Sequence, residues 1–208
     1  MLTQLLPTTF LNIGTKNTSH WGDTSKPFFV TVGCSLTENS HIEYQQCWSS
    51  VLADMLGLEH VNLAFGGSCL EYQSEKINQV WNLLPQAKFC VWMQTYPTRT
   101  RSNLCFLGDH LRRRQHGLAY DDPKTFMRQS EIIIRHLDQN VLMTNCWGYD
   151  GAYKKILHSK FCNNQKFMPN TSEWLDRARD NLHAGPRTHQ AIAESLHGHL
   201  VKNFRSWL

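Results

Sequence analysis

The stretch Phe28-Phe29-Val30-Thr31-Val32-Gly33-Cys34-Ser35-Leu36-Thr37 decides the fold of this chain. Its first five residues form an unbroken run of aromatic and β-branched side chains, the pattern of a strand buried on both faces. The run breaks at Gly33, and Ser35 follows in a turn at the carboxyl end of the strand. The same rhythm recurs downstream. Tyr44, Trp48, Val51, Leu52 and Met55 fall at helical offsets, and Gly57 stands where that helix should stop. A short strand over 60–64 leads to Gly66-Gly67-Ser68 and a helix carrying Tyr72, Ile77, Val80, Trp81 and Leu84. A third strand over 88–93 ends at Gln94-Thr95.

Residues 97–122 read as a long loop, followed by a helix over 123–138 and a strand over 141–144. Beyond a variable region, a short helix is expected over 172–179, then a turn holding Asp180 and His183. The last helix is expected to start at Pro186 or Arg187, since proline suits a first helical turn.

Strands alternating with helices predict an α/β domain, a three-layer α/β/α sandwich around a mainly parallel sheet. In such folds, sites form outside the carboxyl ends of the strands. Ser35, Gly67 and Gln94-Thr95 each follow one of three successive strands, so three segments deliver polar groups to one edge. The expected division is an irregular arm over 1–26, lying on the domain or on a partner, and one domain over 27–208.

With 208 residues, 41% apolar and 18% charged, the chain has the composition of one soluble globular domain. The net charge of +4 is mild, and the run Arg112-Arg113-Arg114 reads first as a solvated face, so no nucleic-acid partner is implied. Seven cysteines without a CxxC pair predict reduced thiols and an intracellular location. The first residues lack the pattern of a secretory signal, and no stretch approaches the roughly 18–20 apolar residues of a membrane span. A cytoplasmic protein without membrane contact is expected. There is no phosphate-binding glycine loop, and His197 and His199, two apart on a helix, do not face together. Neither a metal nor an organic cofactor is therefore expected.

The residues that carry chemistry are Ser35, Asp180 and His183. A serine is a weak nucleophile unless a base takes its proton. His183 is the candidate base, and Asp180 the residue that fixes its tautomer. The rival pair Asp109-His110 lies in the long loop without comparable context. Arg99, with Arg101, follows the third strand and is a candidate for binding an anionic group of a substrate. Trp147 and Tyr149 lie just beyond a strand end and are candidate pocket residues.

These blocks resemble those of the SGNH, or GDSL-type, hydrolases. Gly33-Cys34-Ser35-Leu36 is similar to the family's nucleophile block. Asn62 and Gly67, five apart, resemble its second block, and Asp180-Asn181-Leu182-His183 its DxxH block. The resemblance spans roughly residues 27–200 in order and spacing. It implies a flavodoxin-like sheet and a serine esterase acting on small acyl esters, such as O-acetyl groups on carbohydrate, without a cofactor. It also implies an oxyanion hole built from the amides of Ser35 and Gly67.

Two departures stand out. Cys34 replaces the usual Asp, a GCSxT variant similar to some bacterial and phage members, and a small buried cysteine under the turn is the expected role. The family's GxND block is answered only by Gln94-Thr95-Tyr96-Pro97-Thr98-Arg99, leaving Gln94 or Thr95 to replace the oxyanion-binding Asn. That loss and the polar arm motivate the alternative of a catalytically weak binding or structural protein, self-associating or entering an assembly such as a virion. Acyl transfer or thioester chemistry is a third option.

Overall fold

The computed structural model describes residues 20–39, 41–95, 131–136, 138–145, 167–168 and 174–208. Among the described residues five strands form one sheet: β1 (Phe28–Val32), β2 (Glu59–Asn62), β3 (Cys90–Gln94), β4 (Val141–Asn145) and β5 (Phe167–Met168). Their order across the sheet is β2-β1-β3-β4-β5. Every pairing is parallel, with Val30 opposite Val61 on one side and Cys90 on the other, and Met143 opposite Phe167. This 2-1-3-4-5 order is that of flavodoxin, and it places the crevice of the sheet at its carboxyl edge beside β1 and β3.

Side chains alternate between two cores because successive residues of a strand point to opposite faces. Phe28, Val30, Val32, Cys90, Trp92, Val141 and Met143 pack with Leu70, Ile77 and Val80 of helix α2 (Leu70–Leu83). On the other face, Phe29, Val91, Met93 and Leu142 pack with two helices. These are α1 (Trp48–Leu56), contributing Trp48 and Leu52, and α3 (Pro186–Asn203), contributing Ile192, Leu196 and Leu200. Burying each of the larger side chains contributes about 1.5–3 kcal/mol. The expected three-layer α/β/α sandwich is what forms, with Trp48 and Trp92 in the core.

Two elements differ from the sequence reading. β5 was not anticipated, because two residues carry no legible period. The helix expected over 172–179 is absent from its described part, residues 174–179. There Arg177 bridges antiparallel to Ala184, so the segment folds back along the turn before α3. In the helix expected over 123–138, residues 131–134 are helical and 123–130 lie outside the described residues, as does the loop over 97–122. Of the arm, residues 1–19 lie outside the described residues, while His20 and Gly22 bond to the backbone of Asn62 and His60 along β2.

The junction of α1 and α3 depends on a buried histidine. The residue before α1, Cys47, offers no side-chain cap. Instead His189, 1% exposed, accepts the Trp48 N–H through Nδ1 at 3.0 Å. Only the neutral ring can accept, and burial pushes its pKa down from 6.5 to about 4. His60, 2% exposed and bonded to the Tyr44 hydroxyl, is pushed to about 3 by burial and by neighbouring His20.

Unfolding releases both rings to titrate near 6.5, so their contribution is intact above that pH and is lost as the pH falls toward 4. For His189 alone the loss reaches about 3 kcal/mol at pH 4. Urea unfolding between pH 7 and 4 is expected to show this slope. His189→Gln, which keeps an acceptor without a titrating ring, should flatten it; an unaltered slope would exclude His189 as its source.

Candidate active site

The carboxyl edge of the sheet is built by four segments that hold one another through buried polar contacts. After β1, the chain turns at Gly33-Cys34-Ser35, with the Thr37 and Glu38 N–H groups both donating to the Cys34 carbonyl at 2.9 Å. Cys34 and Leu36 are buried in the core shared with α1 and α3, leaving Ser35 half-buried at the turn. Cys34 thus packs under the turn, as its size suggests.

The segment after β2 is tied to this turn. The Gly33 carbonyl accepts the Phe65 N–H at 3.1 Å and the Ser68 hydroxyl at 2.9 Å. Asn62, 1% exposed, uses both ends of its amide: Nδ2 donates to the Thr37 carbonyl at 2.6 Å and Oδ1 accepts the Ala64 N–H at 3.0 Å. Gly67 has a φ of 78°, in the left-handed region that glycine adopts without strain. A Cβ placed on Gly66 would stand 3.8 Å from the Ser35 Cβ, so the two turns touch at the candidate nucleophile.

The third segment joins through α2. Gln73 donates to the Ser68 hydroxyl at 2.9 Å and accepts the Trp92 indole N–H at 2.8 Å and the Thr95 N–H at 3.4 Å. Next to Thr95 is Gln94, 1% exposed, whose amide nitrogen and oxygen are both buried without a hydrogen-bond partner among the described residues.

The fourth segment is the turn before α3. Asp176 takes the place of a helix cap: its carboxylate accepts the Arg187 and Thr188 N–H groups at 2.9 Å each, and the Thr188 hydroxyl at 2.9 Å. Gly185 is required beside it, since a Cβ there would stand 2.6 Å from the Asp176 Cγ. The Ala178 N–H donates to the His183 carbonyl at 2.9 Å, closing a loop whose tip presents Asp180 and His183.

Asp180 Oδ1 accepts the Leu182 and His183 N–H groups at 3.1 Å each, and Oδ2 meets His183 Nδ1 at 2.6 Å. Partial burial of Asp180 opposes its ionisation. The bonds from His183 and the two backbone N–H groups outweigh it and draw the carboxyl down to about 2. Asp180 is therefore an acceptor at neutral pH, which obliges His183 to carry a proton on Nδ1 and leaves Nε2 as the ring's other nitrogen.

Of the residues singled out by sequence, the structure brings Asp180 and His183 into direct contact and sets Ser35 against Gly66-Gly67. The loop after Ser35 reaches the Asp180 turn: His41 Nε2 lies 3.5 Å from Asp180 Oδ2, and Glu43 pairs with Arg179 at 2.7 Å. Arg99, Trp147 and Tyr149 lie outside the described residues, as does the Asp109-His110 pair. His41, Ser68, Gln73 and Asp176 were not anticipated. Only Asp176 left a trace, an acid eleven residues ahead of the first-turn N–H it accepts, and that spacing has no local signature.

No protein-family model and no curated protein matches the sequence. Solved structures do match the fold. The crystal structure of TesA superposes with a TM-score of 0.57 at 12% identity, covering 87% of this chain and 99% of that one. A lipolytic-type protein of the G-D-S-L family from Desulfitobacterium hafniense gives 0.54 at 12% identity, with 83% and 99% covered. A family two carbohydrate esterase from Clostridium thermocellum, in complex with cellohexaose, gives 0.52 at 13% identity, with 94% and 68% covered. The chain has the α/β fold of these hydrolases.

Asn62 is expected to be the least replaceable polar residue of the edge. Asn62→Ala leaves the Ala64 N–H buried without its partner and the Thr37 carbonyl with only the Cys47 thiol at 3.6 Å, at a cost of about 1–3 kcal/mol in urea unfolding. A loss under about 0.5 kcal/mol would mean that the two turns are held by other contacts.

Proposed function

We propose that this chain is a serine ester hydrolase, with Ser35 as nucleophile, His183 as general base and Asp180 as the group that orients His183. The observation that carries the reading is the 2.6 Å contact between Asp180 Oδ2 and His183 Nδ1, on a turn anchored to the loop that bears Ser35. His183 Nε2 accepts the Ser35 hydroxyl proton as Oγ bonds to the ester carbonyl carbon. The same proton passes to the departing alkoxide when the carbon–oxygen bond breaks. Water then gives a proton to Nε2, attacks the acyl-enzyme and releases the acid, and Ser35 recovers its proton.

The developing oxyanion is held by the amides of Ser35 and Gly67, with Gln94 as third donor in place of the missing Asn. The fully buried, unpartnered amide of Gln94 supports that role. An orphaned amide costs about 1–3 kcal/mol, a cost tolerated at functional sites. Substrates of the expected kind are small acyl esters, including O-acetyl groups on carbohydrate, in line with the fold shared with a carbohydrate esterase. Among the described residues no helix is long and apolar enough to cross a membrane.

A fluorophosphonate probe should label the protein, and short-chain p-nitrophenyl esters should be turned over. Both activities should vanish in Ser35→Ala, and Asp180→Asn should lower kcat by roughly 10³–10⁴. Absence of labelling in folded wild type would defeat the reading. Gln94→Leu is expected to lower kcat by roughly 10²–10³ without raising KM, while leaving stability equal or higher because an orphaned amide is removed. Unchanged kcat would take Gln94 out of the oxyanion hole.

A further inference from the structure

One residue at this edge has no part in the chemistry above and yet touches both members of the Asp–His pair. His41 lies six residues after Ser35, in a loop where Asn39 and His41 have φ values of 65° and 67°. Histidine, like asparagine, enters the left-handed region more often than most residues, and non-glycine residues held there collect at functional positions. This backbone aims the imidazole at the turn before α3. Its Nε2 lies 3.5 Å from Asp180 Oδ2, and its ring stacks on that of His183 with centroids 5.2 Å apart and planes 25° from parallel.

The lone pairs of Asp180 define what is left for His41. Oδ1 is filled by two backbone N–H groups, and Oδ2 by His183 Nδ1, leaving one position on Oδ2. His41 Nε2 faces that oxygen. The three side chains His41, Asp180 and His183 have ligand atoms within 4.8 Å of one another, which raises a metal ion as an alternative. The short Nδ1–Oδ2 contact argues against it: at zinc bond lengths of about 2.0–2.1 Å, atoms 2.6 Å apart subtend about 80°, far from tetrahedral.

We propose that His41 is a positioning residue. It donates toward the last free position on Asp180 and covers one face of His183, so that the Asp–His pair stays aligned with the serine loop on which His41 itself is carried. The exposed Glu43–Arg179 pair joins neighbouring residues of the same two segments. The inference rests on the reading that Asp180 and His183 act on Ser35, and its test separates the two.

His41→Gly removes the ring and relieves the left-handed backbone, while His41→Gln keeps a side-chain donor. The low-field proton resonance of His183 Nδ1–H, assigned by its loss in Asp180→Asn, reports the pair without any substrate. It should be sharp in wild type and His41→Gln and broadened or lost in His41→Gly, whose Tm should not fall. Ester kinetics should show kcat reduced on the order of ten- to a hundredfold in His41→Gly with KM little changed, and partly restored in His41→Gln. An unchanged resonance in His41→Gly, or a loss accompanied by a clear fall in Tm, overturns the positioning role. A resonance that responds to His41 in a wild type without esterase activity upholds the positioning of the pair and defeats the catalytic reading instead.

Discussion

The buried amide of Asn62 is the constraint on which the edge of the sheet depends. It is the last residue of β2, and it spends its donor on the loop after β1 and its acceptor on its own chain two residues on. In the low dielectric of the interior such bonds are stronger, and leaving either unmade is costly. The same two turns meet again at the Gly33 carbonyl, which takes a backbone N–H and a serine hydroxyl. Ser35 therefore stands on a platform with little freedom to shift, and the Gly66-Gly67 backbone is fixed beside it. Gln73 extends the platform through α2 to the end of β3. Three strand ends become one rigid surface through three interlocked side chains.

Much of this was legible in the sequence, for identifiable reasons. β1 has the bounds that its apolar run predicts, because a strand covered on both faces needs no alternation and admits few polar residues. α1 stops at Gly57 and α3 starts at Pro186, where backbone chemistry punctuates the chain. The pairing of Asp180 with His183 follows from their spacing on one turn. What could not be read depends on contacts distant in sequence. A helix was expected over 172–179, but Asp176 is committed to the first turn of α3, and the backbone folds back to bring it there. His41 gave no signal because its importance comes from a residue 139 positions later, and β5 because parallel pairing alone defines it.

The polar groups of the molecule divide by what burial does to them. His60 and His189 are sealed in as neutral rings, each with a hydrogen-bond partner, and so belong to the architecture. Asp180 stays ionised because three hydrogens of its own turn surround it, and its side chain stays 17% exposed at the crevice. Gln94 fits neither group: it is enclosed as deeply as the core and yet unpaired. Asn62, Ser68 and Gln73 at the same edge are satisfied, so Gln94 is the exception among these four amides and hydroxyls.

At the β2 border of the sheet, His20, Trp21 and Gly22 run along that strand, with Trp21 bridging Val61 and packing on the core under α2. A border strand with open N–H and C=O groups is a template on which another chain can extend the sheet. Here the template is already occupied by a few residues of the same molecule, and antiparallel to a strand whose other neighbour is parallel. The short segment thus takes up hydrogen-bonding groups of β2 that a border strand otherwise presents to solvent.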